Sequence, residues 1–141
     1  MIQITKLFEG LCTVKIVLED FSEYLKGVMR QILDSYNIII QLDDEPSDLA
    51  IIKKELSKIR GQLTVLKNKL KSKEYQSDDL VTLYKVSLYY TETYDFSREI
   101  NLLSQIYYND PLRLKNLRLL IIESLNDKKL IEKFQEIFNR L

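Results

Sequence analysis

Between Ile52 and Lys73 the chain gathers Lys53, Lys54, Lys58, Arg60, Lys67, Lys69, Lys71 and Lys73, with Glu55 as the only opposing charge. Ammonium and guanidinium groups at this density make no bonds by themselves. Their chemistry is the neutralisation of phosphates, which positions a nucleic acid without reading its bases and weakens steeply with salt. A helix that is merely solvated usually interleaves both signs, and this stretch does not. The bland alternative is a solubilising face wrapped around a core stripe. Arg98 is the further cation of interest, for reasons given below.

Other chemistry is scarce. The chain has no histidine, which removes the commonest general base, the commonest metal ligand and every Ser-His or Cys-His nucleophile. The single Cys12 sits beside an apolar heptad position and reads as a buried thiol rather than a nucleophile. Gly10, Gly27 and Gly61 are isolated, so no glycine-rich phosphate loop exists. The acidic run Asp43, Asp44, Glu45 and Asp48 offers oxygen ligands but lacks the spacing and glycine of an EF-hand loop. It reads as a helix-capping loop. No enzyme activity, cofactor or metal is expected. Nine tyrosines, including the pairs Tyr89-Tyr90 and Tyr107-Tyr108, invite base stacking, but their spacing suits packing with hydroxyls at the rim.

The elements that must position these groups are helices. Ile52, Leu56, Ile59, Leu63, Leu66 and Leu70 recur at alternating spacings of four and three, one apolar stripe along a helix. At about 100° per residue, Lys53, Arg60, Lys67 and Lys71 form a row beside that stripe, while Lys54, Lys58 and Lys69 lie further round. Leu7, Leu11, Val14, Leu18, Phe21, Leu25, Val28 and Ile32 keep the same alternation through the first region, a sustained heptad. Gly10 and Gly27 interrupt it and mark a kink or a close helix contact. Ser77 predicts an N-cap, with Asp78 and Asp79 in the first turn of a third region that breaks near Thr91–Tyr94. Asp110-Pro111 starts another helix, and Asn126-Asp127 a last one.

With 141 residues, three glycines and two prolines, the chain predicts a single-domain all-α bundle of about five helices. Its parts are an acidic helical region over 1–45, the basic helix over 47–73 and the C-terminal helices over 77–141. The formal net charge of zero hides a polarised molecule, since residues 1–50 hold four cations against nine acids. No apolar run approaches the roughly 20 residues that span a bilayer, and no signal-peptide pattern opens the chain. A cytoplasmic protein without membrane contact is expected.

Three segments resemble a known family. Ser57-Lys58-Ile59-Arg60 followed by an apolar helix is similar to a stretch of the small subunit of type III-A CRISPR effector complexes, the Csm small subunit. Tyr94-Asp95-Phe96-Ser97-Arg98-Glu99 resembles that family's Tyr-x-x-Gly-Arg-Glu segment, with Ser97 in place of glycine. Ile122 to Leu141, with aromatics following leucines, resembles its closing helix. The resemblance implies a non-catalytic helical subunit that stacks along the duplex of guide RNA and target RNA. It implies partners among the other subunits of the complex, self-association between copies, and phosphate contacts by Lys58, Arg60 and Arg98. Lys53, Lys54, Lys67, Lys69 and Lys71 join that set from helix geometry alone. The alternative is a helical interaction module that self-associates through the heptad stripes without nucleic acid.

Overall fold

In the computed structural model, the described backbone covers residues 2–71, 77–105 and 110–141, with side chains described from Phe21 onward. Six α-helices follow one another: α1 (Ile2–Ile40), α2 (Asp48–Lys71), α3 (Asp78–Leu88), α4 (Phe96–Ser104), α5 (Pro111–Asp127) and α6 (Leu130–Arg140). A π-helical turn, Tyr89–Thr93, prolongs α3. Among the described residues there is no strand, so the all-α expectation holds. The count exceeds five because the third region divides into α3 and α4.

Helix α2 sits at the centre. Its stripe of Ile52, Leu56, Ile59, Leu63, Leu66 and Leu70 is buried along its whole length, and each such side chain contributes about 1.5–3 kcal/mol when taken from water. The most extensive packing is with α1, and α3, the π turn and α4 cover other parts of the same helix. Gln62 donates to Gln31, and Lys69 lies over the Tyr24 ring. Later residues of α2 thus meet earlier residues of α1, and the two helices run antiparallel. Leu25, Val28, Met29, Ile32 and Ile39 of α1 enter the same core. Helices α5 and α6 close it with Ile121, Leu125, Leu130, Phe134 and Ile137.

The helix ends follow local rules where polar side chains lie within reach of orphan amides. Ser77 Oγ accepts from the Leu80 amide at 3.2 Å, Asp95 Oδ1 from Arg98 at 2.9 Å and Asp110 Oδ1 from Arg113 at 3.2 Å. Pro111 occupies the start of α5. The acidic run caps as expected: Asp48 stands in the first turn of α2 and its Oδ2 accepts from the Glu45 amide at 2.9 Å. Asp44 takes a positive φ of 64°, a left-handed conformation that aspartate tolerates better than most residues.

Two expectations are corrected, and a third falls partly outside the described residues. Asn126-Asp127 ends α5 instead of starting α6. The helix continues because Leu125 must be buried, and the reversal falls to Lys129, which adopts φ 56°. Gly27 marks no close contact: a Cβ there would meet nothing within 4 Å, and α1 is continuous through it. The basic helix is defined to Lys71, and Lys73 lies outside the described residues. So do Tyr107 and Tyr108, while Cys12 and the heptad leucines before Phe21 lie outside the described side chains.

Candidate nucleic-acid interface

Packing divides the cations of α2 between two edges of one helix. With the leucine and isoleucine stripe turned inward, the row of Lys53, Arg60, Lys67 and Lys71 flanks the seam with the π turn and α4. Arg60 Nη1 donates to Ser97 Oγ at 3.2 Å, and Lys67 Nζ stands 4.0 Å from Glu92 Oε1. Lys69 lies on the opposite flank, its ammonium 5.4 Å from the centre of the Tyr24 ring of α1. Lys58 is tied down locally, 3.2 Å from Glu55 Oε1, while Glu55 itself is buried. Among the described residues Lys53, Lys54, Lys71 and Arg98 form no ion pair.

The Arg60–Ser97 contact places the cationic row against the N-terminus of α4, where Arg98 is exposed one residue further along. Asp95 terminates the preceding chain by capping the Arg98 amide, which holds the start of α4 in place. The structure therefore joins Arg60 with the Arg98 segment, and separates both from Lys54, Lys58 and Lys69. The acidic neighbours of the first row are Glu92, Asp95 and Glu99. Burial pushes the Glu99 carboxyl up, against the pull of Arg98.

A tyrosine wall stands on the far side of the π turn. Thr91 Oγ1 donates to the Ser87 carbonyl at 2.9 Å, and the Tyr94 amide reaches back to the Tyr89 carbonyl at 2.9 Å, closing the wide turn. This brings Tyr89 and Tyr90 together at 5.0 Å and 85°, and Tyr90 and Tyr94 at 5.5 Å, within the range of favourable ring contacts. Tyr90 is fully buried, its hydroxyl donating to the Ser124 carbonyl at 2.8 Å. The packing reading of these tyrosines holds for Tyr90.

Burial pushes the Tyr90 phenol up to about 12, and that of Tyr94 also upward. The folded protein holds these protons more tightly than the unfolded chain, so the associated stability is present below about pH 10 and lost as pH rises toward 12. Urea unfolding at pH 8 and pH 11 should show Tyr90 contributing a loss on the order of 1 kcal/mol. Tyr90→Phe should flatten that part of the profile, and superimposable profiles would exclude Tyr90 as its source.

Sequence reading missed a shallow cleft of about 190 Å³ between this wall and α5, lined by Tyr89, Tyr94, Leu120, Glu123, Ser124 and Asp127. One signal was present. Helix α5 carries more leucines than one buried stripe needs, and Leu112, Leu119 and Leu120 are left exposed. Among the described residues no helix is long and apolar enough to cross a membrane. Compared with models of protein families, with curated proteins and with solved structures, the chain matches none.

Proposed function

We propose that the chain is a non-catalytic helical subunit of a type III CRISPR RNA-guided interference complex in the cytoplasm. In this reading copies stack along the guide RNA–target RNA duplex beside other subunits of the complex. The row Lys53, Arg60, Lys67 and Lys71, with Arg98, meets its backbone phosphates. Lys54, Lys58 and Lys69 reach the phosphates from the second edge of α2.

The observation that carries the reading is the 3.2 Å contact between Arg60 and Ser97. It unites, on one surface, two of the three segments that resemble the Csm small subunit, through residues 37 positions apart in sequence. Side chains there offer guanidinium forks and ammonium groups, the donors that suit phosphate oxygens. Exposed Leu112, Leu119 and Leu120 on α5 favour contact with protein as well, which a subunit of an assembly requires and which also serves the alternative module that binds no nucleic acid.

Tagged protein isolated from its native cells should carry short RNAs of uniform length together with larger partner proteins. Charge reversal at Lys58, Arg60 and Lys67 should reduce RNA retention at least about 10-fold and lower the slope of affinity against salt by roughly 2–3. A clean homo-oligomer without RNA, unchanged by the reversal, would establish the self-associating module instead.

A further inference from the structure

The cleft beside the π turn has a lining that selects for one class of ligand. Its walls are Tyr89 and Tyr94 on one side and the exposed face of α5 on the other, with Leu120 half out of the fold. Glu123 and Asp127, one turn apart on α5, bring two carboxylates to the rim. Among the described residues neither is in an ion pair. Unpaired carboxylates and aromatic rings lining one cleft create negative potential, and both components attract a cation.

The Tyr89 ring already receives one. Lys128 Nζ lies 5.4 Å from its centre, so this face of the molecule accommodates an ammonium group on an aromatic ring. The lining also discriminates between kinds of cation. Calcium or magnesium requires six or more oxygens at close range, whereas two carboxylates, two tyrosine rings and a leucine supply charge at one side and apolar contact at the others. That combination suits an ammonium carrying carbon substituents. Serine 124 adds polarity, and the Tyr94 hydroxyl beside it closes no hydrogen bond of normal geometry. The cleft volume of about 190 Å³ accommodates a head group of several heavy atoms.

We propose that this cleft binds a small alkylammonium ion, its charge between Glu123 and Asp127 and its carbon substituents against Tyr89, Tyr94 and Leu120. Lys128 is the intramolecular competitor, holding the Tyr89 ring when the ligand is away. The inference is independent of RNA binding, since none of these residues belongs to the cationic row.

The test is a titration of the full chain with tetramethylammonium chloride, followed by amide NMR, with sodium chloride at matched ionic strength and tert-butanol as the uncharged isostere. Saturable millimolar shifts confined to residues 89–94 and 120–128 are expected with tetramethylammonium alone. E123Q combined with D127N should weaken binding at least 10-fold, and K128M should tighten it several-fold. These side chains are exposed, and unchanged circular dichroism would verify the fold of each variant. Equal shifts with sodium chloride or tert-butanol, or an affinity indifferent to E123Q/D127N, would overturn the proposal.

Discussion

Replacing Arg118 by alanine is expected to destabilise the protein by about 3 kcal/mol, lowering Tm by on the order of 10 °C. Arg118 is 8% exposed, and its guanidinium makes a two-pronged contact with Asp44: Nε to Oδ1 at 2.7 Å and Nη2 to Oδ2 at 3.0 Å. Its Nη1 reaches the Ile39 carbonyl at 3.4 Å, in the last turn of α1, where helix carbonyls lack partners and a cation is favoured by the dipole. One side chain thus anchors α5 to the end of α1 and to the loop that leads into α2. Removing it leaves a half-buried carboxylate and a carbonyl without their donor, and a truncated buried pair costs far more than the intact pair contributes.

The double mutant separates those two quantities. Asp44→Ala with Arg118→Ala should cost clearly less than the sum of the single changes, because it removes the stranded charge. Asp44→Asn should be the mildest change, since asparagine tolerates the left-handed backbone at φ 64° and still accepts a hydrogen bond. Denaturant unfolding of the four proteins measures the coupling. Additive costs, or a loss below about 0.5 kcal/mol for Arg118→Ala, would mean the pair is only a surface contact.

Leu63→Ala should cost about 2–5 kcal/mol. Leu63 lies at the middle of the α2 stripe with no exposed surface, on a helix packed by α1, α3, the π turn and α4, and collapse around the missing methyls is resisted by close packing. Val65, 38% exposed, faces away from the stripe, and Val65→Ala should fall within about 0.5 kcal/mol of wild type. The comparison distinguishes core from interface. If the stripe served mainly to bind another copy, Leu63→Ala would leave the stability of the dilute monomer unchanged while lowering self-association. Unfolding at several protein concentrations, with sedimentation of both variants, reads the two effects apart.

Burial of the α2 stripe and of Leu25, Val28 and Ile32 within one chain narrows what a self-associating protein could use. The heptad pattern looked the same whether its partner was another copy or the neighbouring helix. A period of alternating threes and fours specifies that one face is apolar; it carries no information about what covers it. The exposed leucines of α5 remain available, and they broke the single-stripe pattern instead of extending it.

What the residues determined by themselves was everything that acts within about one helical turn. Scarce glycine and proline, apolar positions at helical spacing and the caps at Ser77, Asp110 and Pro111 were sufficient for the class and for most boundaries, because a cap and its amide are three residues apart. A break near Thr91–Tyr94 was visible too, and the structure sets it at Tyr94-Asp95, between the π turn and α4. Tertiary structure decided the rest. Arg118 found Asp44 across 74 residues, and the acidic run acquired an anchoring role that its composition did not announce. Arg60 met Ser97, Tyr90 met Ser124, and the cleft assembled from two segments that share no local pattern. Helical periodicity places each side chain around its own axis, but crossing angles and the rotation of one helix against another set which faces meet. Those are fixed only when the whole core packs.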